Sequence, residues 1–513
     1  MSPSPLSLEL QRDPRLDRIA VGVVASVTLL HVLYAGLVAL APQEAYYWEW
    51  SRHLDLSYYD HPPLVAWTIH VATAILGESE RAIRAAGALH SAVFATFLWL
   101  SARRLFGSRA ALAAVSAAAT VPLFSLGQVV VTPDAPLLAG WAMAMYFTVR
   151  ALDDDEPRWL LGAGFATGWA VLGKYTGFLL FPQILGALLL DPRGRRQLRG
   201  GWPWAGAALA LVLLAPVAVW NAEHDWASFA FQTAGRARAA SFRPVLVARF
   251  LGLQALLVSP LLLLLLVEAA VTSFRRRHAP AFRLCAVFSL PLLAVAAAAS
   301  PFVWVKGNWV APAYAAALLA AAALALERGR RAARVAGAVI AVALATTTYL
   351  HLVPVLPWLP FPARDAGSAA WRELAARVEA ERRRLPADAF VAGCNYKVSA
   401  ELAYYLPDRV HTLSGEVAGD DGLQYRYWFH PAEIAGHQGI VVLDTRERGT
   451  CRHLAEACGA LVPLDPLTVR RGAAPVTTFR LWRCTYARPP AVLTHLDGSE
   501  PAAAHPRGDG GPG

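Results

Sequence analysis

Long apolar runs separated by short polar loops fill roughly the first 350 residues. A helix needs about 20 mostly apolar residues to cross the ~30 Å hydrocarbon core of a bilayer. The pattern therefore predicts an all-α polytopic membrane domain over residues 19–360, after a cytoplasmic N-terminus at residues 1–18. About 11 spans are predicted, at residues 19–40, 84–102, 110–127, 134–149, 159–173, 175–190, 203–220, 247–271, 284–300, 309–326 and 333–352. No small-residue cleavage site follows the first run, so we expect that span to be retained.

The loops between the runs differ in charge. One alternating set of loops carries about twice as many Lys and Arg residues as the other, and such an excess marks the cytoplasmic side. The N-terminus is then cytoplasmic, and an odd number of spans places the C-terminal part outside the cell inner membrane. Two outer loops are long, residues 41–83 and 221–246. The first contains an apolar stretch, Leu64 to Leu76, that is too short to span and predicts an interfacial or re-entrant helix.

Composition changes after Pro362, where the chain becomes mixed polar and apolar. We predict a small extracytoplasmic α/β domain at residues 361–487, with a helix at WRELAARVEAERRRL and strands at AFVAGC, GIVVLDT and TTFRLWRC. No phosphate-binding glycine motif indicates a nucleotide site. In an oxidising compartment the cysteines permit up to two disulfides with three connectivities, and they lie at Cys394, Cys451, Cys458 and Cys484. Residues 488–513 are rich in Pro, Gly and Ala and are expected to be disordered.

The whole chain is 56% hydrophobic and only 16% charged, and its formal net charge is +10. In a soluble protein that charge would suggest a nucleic-acid partner. Here most basic residues lie in the loops between apolar runs, where membrane topology explains them. Membrane lipid is therefore the expected partner, and nucleic acid is not.

The first outer loop holds the leading catalytic candidates, Glu44 and Asp60, with His61 beside them in EAYYWEWSRHLDLSYYDHPPLVAW. One interpretation is an interfacial aromatic belt with solvated charges. The other is a sugar site, where a carboxylate deprotonates an acceptor hydroxyl and aromatic faces stack on sugar or prenyl groups.

Four further polar strings lie on the same predicted membrane face, and charged groups at membrane depth are functional candidates. Each has an ordinary alternative: a helix N-cap for the aspartate, a snorkelling lysine, solvated arginines or a plain polar loop. The acidic neighbours of His224 suggest a metal site, but their spacing matches no tetrahedral zinc pattern. The candidates for substrate or phosphate binding are Asp134 (VTPDAPLL), Lys174 (LGKYTGF), Asn221, His224, Arg236, Arg238 and Arg243 (WNAEHDWASFAFQTAGRARAASFRP), and Lys306 and Asn308 (KGNWVAPAY).

Taken in order, these strings resemble segments of the family 39 glycosyltransferases, the group with the protein O-mannosyltransferases and lipid A aminoarabinose transferases. The resemblance covers most of the membrane part. It implies a GT-C fold, a polyprenyl-phosphate-linked sugar donor, a hydroxyl acceptor on protein, lipid A or envelope glycan, and inversion at the anomeric carbon.

The same resemblance shows two departures. The family's first loop usually has Asp-Glu after the first span, where this chain has Gln43 and Glu44. Glu44 then becomes the leading base and Asp60 the next. The lipid A enzymes have Glu-Lys where this chain has Asp60 and His61, so His61 would reach phosphate only when protonated or in a suitable tautomer.

The working hypothesis is direct displacement by an acceptor hydroxyl that Glu44 or Asp60 deprotonates, with Lys174 and the arginines on the phosphate. No nucleotide cofactor is expected, and a divalent cation is an open alternative. A polyprenyl-lipid transporter or flippase would favour internal repeats and charges at mid-membrane. A catalytically silent relative that only binds carrier lipid is the third alternative.

Overall fold

The computed structural model describes residues 12–235, 240–362, 370–447 and 450–490. These residues divide into two compact units on either side of Leu359 and Pro360, and each unit is described by itself.

The first unit is helical. Short 3-10 turns at Tyr175–Leu179 and Gly307–Val310 and a π-helical turn at Phe231–Gly235 interrupt its helices. Helices α1 to α17 run in chain order over Pro14–Tyr34, Pro42–Arg52, Leu64–Leu76, Glu80–Thr120, Pro122–Val129, Asp134–Asp153, Trp159–Gly173, Leu180–Leu190, Pro192–Gln197, Trp202–Leu213, Ala215–Glu223, Ala227–Ala230, Val245–Val258, Pro260–Arg275, Pro280–Ala299, Ala311–Glu327 and Arg330–Val355.

Helical segments overlap each predicted span, and α3 has the bounds of the predicted short apolar helix. Within the described residues, six helices are long and apolar enough to cross a membrane, or up to eight if each bent pair forms one span. The number of eleven spans is therefore not confirmed. The predicted continuous span at 247–271 is wrong in detail, because α13 and α14 meet at 103°. Ser259 has φ +76° at the break, and Pro260 after it disfavours helical backbone there.

Helix α4 folds back at Gly107, whose φ of +84° lies outside the helical region. This end of the unit is held by ion pairs between helices. Arg103 Nε donates to Asp17 of α1 at 2.8 Å, and Arg104 Nε donates to Asp153 of α6 at 2.5 Å. Helices α2 and α3, the first residue of α6 and the last of α7 therefore lie at the opposite end.

Small residues let the helices approach closely. A Cβ added to Gly164 of α7 would lie 2.0 Å from the backbone oxygen of Gly206 in α10. Such contacts are typical of helices packed within membranes, where close backbone approach supplies much of the attraction.

The second unit is α/β. Three short helices, α18 to α20, cover Ala370–Arg382, Tyr396–Tyr405 and Leu454–Ala457. Four strands, β1 to β4, cover Phe390–Gly393, Gln438–Asp444, Cys458–Arg471 and Ala474–Tyr486 in the order β1-β2-β4-β3. Strand β1 pairs parallel with β2, and the other pairs are antiparallel.

Strand β3 was not among the predicted strands. It contains Pro463 and Pro466, which remove two backbone donors and argue against a strand. The structure accommodates them because β3 lies at the sheet edge and its register shifts between Leu464 and Leu467. The predicted cysteines form two disulfides, Cys394–Cys451 and Cys458–Cys484.

Candidate active site

The aromatic residues of the first long loop form its interior. Trp50 and Tyr58 are wholly buried and stack with ring centroids 4.2 Å apart. The Tyr58 hydroxyl donates to the backbone oxygens of Trp50 and His53. Tyr46 and Trp48 are also buried. Their burial contradicts the alternative interpretation of an interfacial aromatic belt, because these side chains pack α2 against the residues before α3.

Glu44 is wholly buried in an ion pair with Arg84. Arg84 donates from Nη2 and Nε to the two carboxylate oxygens at 2.6 and 2.9 Å. The backbone N–H groups of Ala41 and Val131 also donate to this carboxylate, at 2.9 and 3.1 Å. Arg84 further donates to the backbone oxygens of Ala35, Val38 and Ala39. Glu44 thus ties α2, α4 and the segment before α6 together, with both oxygens occupied.

Asp60 lies in a different setting, half-buried before α3. The Tyr46 hydroxyl donates to its Oδ1 at 3.2 Å. Gln232, in the π-helical turn of the second long loop, donates to the Asp60 backbone oxygen. The two long loops therefore meet at Asp60, and its carboxylate is more accessible than that of Glu44.

Asp134, Lys174 and Asn308 converge from three distant segments. Lys174 Nζ donates to Asp134 Oδ1 at 2.8 Å, and Asn308 Nδ2 donates to Asp134 Oδ2 at 2.6 Å. The side chains of Lys174 and Asp134 are only 9% and 13% exposed. The start of α6, the end of α7 and the 3-10 turn before α16 thus form one polar cluster, here called the lysine cluster.

Tyr175 follows Lys174 directly and joins a second group of side chains. Its hydroxyl lies 2.6 Å from Ser228 Oγ, and Ser57, Asn221 and Asp60 are among its polar neighbours. Lys174 has extended backbone, φ −158° and ψ 140°, and Tyr175 begins the 3-10 turn that follows. The lysine cluster and the Asp60 region therefore meet at two adjacent residues of the chain.

Two candidates of the second long loop bond within their own segment. Asn221 is wholly buried, donates to the Val217 backbone oxygen and accepts from the Phe229 N–H. His224 Nδ1 lies 2.7 Å from the Trp220 backbone oxygen, and its ring stacks on the Trp220 ring at 4.1 Å. Both residues therefore shape this loop beside Tyr175.

The remaining candidates lie around these groups. The ring of His61 lies 6.4 Å from that of Tyr47. Arg243 and Lys306 are exposed, and the Arg243 N–H donates to the Pro301 backbone oxygen, which brings their loops together. Arg236 and Arg238 lie outside the described residues.

Comparison with known proteins adds three findings. Residues 60–220 match the family model described as dolichyl-phosphate-mannose-protein mannosyltransferase. The lipid A galacturonosyltransferase RgtD of Rhizobium johnstonii is 32% identical over 183 residues, 36% of this chain and 38% of RgtD. The lipopolysaccharide core galacturonosyltransferase RgtA of that species is 29% identical over 217 residues, 41% of this chain and 43% of RgtA. The chain thus spans about two fifths of the length of these curated relatives.

The fold comparison covers almost the whole chain. The structure of ArnT from Cupriavidus metallidurans in the apo state superposes with a TM-score of 0.64 at 17% identity, over 94% of this chain and 99% of ArnT. The chain therefore shares the GT-C fold of this structure, and its residues 60–220 are similar to the mannosyltransferase family model. ArnT bound to undecaprenyl phosphate gives a TM-score of 0.61 at 16% identity, over 91% of this chain and 98% of ArnT.

The segment that matches the family model begins at Asp60 and contains His61, Asp134 and Lys174. Glu44 and Asn308 lie outside it. The matched segment therefore holds the half-buried carboxylate and the ion pair of the lysine cluster.

Sequence reasoning missed Arg84, Tyr46 and Gln232 as partners of the candidate carboxylates. A signal for Arg84 is present in the sequence, because it lies at the start of the predicted span 84–102, where an arginine needs a partner. Nothing in the sequence identifies which carboxylate Tyr46 or Gln232 would reach.

Proposed function

We propose that this chain transfers a sugar from a polyprenyl-phosphate carrier to a hydroxyl of lipid A or the lipopolysaccharide core, at the outer side of the cell inner membrane. The names of RgtD and RgtA support this acceptor class and make galacturonic acid the first donor sugar to test. The undecaprenyl phosphate bound to ArnT supports the carrier.

One observation carries the proposal: Lys174 and Tyr175 join the lysine cluster to the Asp60 region at one end of the helices. A transferase of this kind needs a cation for the departing phosphate and a base for the incoming hydroxyl, held on opposite sides of the anomeric carbon. The adjacency of Lys174 and Tyr175 brings the cation and the Asp60 carboxylate to the same end of the helices, as that requirement demands.

In the proposed reaction the Asp60 carboxylate accepts the proton of the acceptor hydroxyl. The acceptor oxygen bonds to the anomeric carbon, and the bond from that carbon to the carrier phosphate breaks with inversion. The bond's electron pair leaves with the polyprenyl phosphate, whose new charge Lys174 Nζ stabilises. Asp134 and Asn308 hold the lysine in place. Arg243 and Lys306, exposed near the cluster, supply further positive charge for the phosphate.

We assign the base to Asp60 because both oxygens of Glu44 already accept N–H donors and the residue is wholly buried. A general base must come within hydrogen-bond reach of the substrate proton. Moving Glu44 toward substrate would break its bidentate pair and leave Arg84 charged and buried, which costs about 3–5 kcal/mol. Glu44 instead positions the loop that carries Asp60.

The disulfides of the second unit support the proposed topology. Disulfides persist in oxidising compartments and are rare in the cytosol, and both pairs lie in the part of the chain predicted to be outside. The basic loops predicted to be cytoplasmic lie at the ion-paired end of the first unit, opposite Lys174.

Reconstitution of the purified protein tests the proposal. Proteoliposomes would receive polyprenyl-phosphate galacturonic acid with lipid A or core oligosaccharide, and mass spectrometry would follow glycosylated acceptor and released polyprenyl phosphate together. Carriers bearing mannose or aminoarabinose serve as comparison donors, and Asp60→Asn is the inactive control. A chelator arm tests the divalent cation, and no added nucleotide should be needed.

We expect the two products to appear in equal amounts. Movement of the donor across the bilayer without release of carrier phosphate would favour a transporter and overturn the proposal. Donor binding without any product from these donors and acceptors would favour a silent relative and overturn it as well.

A further inference from the structure

An apolar groove lies at the end of the first unit opposite Lys174. It opens between the second half of α4, α14, the second half of α16 and the start of α17, and its volume is about 530 Å³. Asn308 precedes the first turn of α16, whereas the groove contacts that helix from Leu318 onward. At 1.5 Å per residue, Leu318 lies about 15 Å along the chain axis from Asn308, so the groove is separate from the lysine cluster.

Small side chains create the groove. Eight of the lining residues are alanine and one is glycine, and bulkier side chains at these positions would fill the space between the helices. The small residues on α16 and α17 are Ala321, Ala322, Ala325, Ala332, Ala333, Ala336 and Gly337. A Cβ added at Gly337 would meet no atom within 4 Å. The groove thus presents an open apolar wall to the hydrocarbon.

Its mouth is basic. The ionisable lining residues are Glu268, Arg328 and Arg331. Arg328 Nη2 lies 2.7 Å from Glu268 Oε1, so these two charges compensate each other. Arg331 is exposed and forms no ion pair with any residue that the structure describes. Its neighbours Arg330 and Arg334 add positive charge on the same first turns of α17.

The backbone at this mouth adds to the attraction for an anion. Helix α17 begins after Gly329, which provides no side chain to cap the first-turn N–H groups. Uncapped N–H groups and the helix dipole favour negative charge at a helix N-terminus. An anionic head group at Arg331 would therefore meet both the guanidinium and the helix end.

We propose that this groove binds an anionic phospholipid of the membrane leaflet opposite the candidate active site, with an acyl chain along the alanine-lined wall and the phosphate at Arg331. Basic pockets between membrane helices are typical sites for such head groups. A lipid without net charge would make the same apolar contacts but would gain less from electrostatic attraction to Arg331. This inference concerns a separate cavity and does not depend on the proposed transfer reaction.

Native mass spectrometry of the detergent-purified full chain tests the site. The protein would be titrated with phosphatidylglycerol and, separately, with phosphatidylcholine of the same acyl chains. Arg331→Gln removes the head-group contact, and Gly337→Leu fills the groove with a side chain that favours helix more than glycine does. Arg199→Gln is the matched control, because Arg199 is an exposed arginine at the same end of the unit and does not line the groove.

We expect the wild type to retain one phosphatidylglycerol more tightly than phosphatidylcholine. One basic contact near a membrane surface corresponds to about fivefold in affinity, so Arg331→Gln should weaken phosphatidylglycerol binding about fivefold. Gly337→Leu should abolish retention of either lipid at this site, and Arg199→Gln should change nothing.

Equal retention of the two lipids by the wild type would overturn the proposal. Arg331→Gln binding like Arg199→Gln would overturn it too, and so would a dimer that Gly337→Leu dissociates, because a second copy would then occupy the groove. Arg331 is exposed, so Arg331→Gln should fold like the wild type. It therefore still tests the proposal if Gly337→Leu is poorly folded.

Discussion

Glu44 and Asp60 belong to the same loop and were the first and second base candidates from the sequence, but their surroundings differ. Glu44 is wholly buried and accepts hydrogen bonds from Arg84 and from two backbone N–H groups. Asp60 is half-buried and accepts a hydrogen bond from a tyrosine, where the two long loops meet. Glu44 holds the loop together, and Asp60 is the carboxylate that we propose meets the substrate.

The difference teaches that burial of an acidic group in a membrane protein does not by itself mark a catalytic residue. A fully paired carboxylate contributes through the structure it fixes, and its removal leaves an uncompensated buried cation. A partly exposed carboxylate can come within reach of a substrate hydroxyl and accept its proton. Mutations at the two positions should therefore separate activity from stability.

The largest effect is expected at Asp60. Replacing it by Asn removes the proposed base, and general-base catalysis contributes about 10²–10⁴-fold, so kcat should fall by that factor. The melting temperature should stay close to that of the wild type. The reconstituted transfer assay and a thermal unfolding curve measure the two quantities. Wild-type kcat in this variant would show that another residue acts as the base.

Glu44→Gln should act mainly on stability. Breaking one side of a buried ion pair costs about 3–5 kcal/mol, and the folded fraction should keep kcat within about tenfold of wild type, because the base remains. A double-mutant cycle with Arg84→Met measures the coupling. We expect the double variant to be more stable than Glu44→Gln alone. A folded, inactive Glu44→Gln protein would instead support Glu44 as the base.

A third carboxylate, Glu416 of the second unit, extends the comparison, since it is buried without an ion pair among the described residues. Its Oε1 accepts the Ser414 N–H at 2.8 Å, and burial raises its pKa to about 7. A raised folded-state pKa contributes stability that is complete below the unfolded value and is lost as pH rises. The second unit should therefore lose up to about 3 kcal/mol between pH 4.5 and pH 7.

Hydrogen exchange of strands β2 and β4 in the full chain, recorded across that range and corrected for intrinsic rates, reports this loss. Glu416→Gln should flatten most of the dependence and stabilise the unit at pH 8. Burial also raises the pKa of Asp420, so a small slope of the same sign should remain. An unchanged slope in the variant would assign the effect to other groups.

The smallest predicted effect concerns Lys174. Loss of a hydrogen bond from a charged group costs about 1.5–3 kcal/mol, so Lys174→Met should lower kcat/KM for the donor about tenfold to a hundredfold. Lys174→Arg should recover part of this loss. Lys306→Met, a lysine in the neighbouring exposed loop, is the comparison variant and should have a smaller effect. Equal losses of kcat/KM in the two methionine variants would mean that the total positive charge of the region attracts the donor, and that Lys174 makes no specific contact with its phosphate.

Much of the fold follows from hydrophobic pattern alone. The apolar runs predict the positions of the helices, and the stretch from Leu64 to Leu76 predicts α3 with its observed bounds. The break at Ser259 could not be predicted from hydropathy, because Leu and Val continue on both sides of it. Strand β3 was missed because its prolines argue against pairing, and only the sheet order shows that it lies at an edge.

The candidate site was predictable in part. Polar residues on one predicted membrane face led to Asp134, Lys174 and Asn308, which the structure brings into one cluster. The role of each carboxylate was not predictable, because it depends on which donors reach it across the fold. Arg84 reaches Glu44 from α4, and no spacing in the sequence encodes that contact.

The adjacency of Lys174 and Tyr175 has a consequence for how such a protein diversifies. If the reaction proceeds as proposed, Lys174 contacts the departing phosphate, and Tyr175, the next residue in the chain, lies in the region that receives the acceptor. An insertion or deletion there would displace one side chain relative to the other. New specificities should therefore arise by substitutions in the surrounding loops, while the length of this junction stays constant among descendants that keep the chemistry.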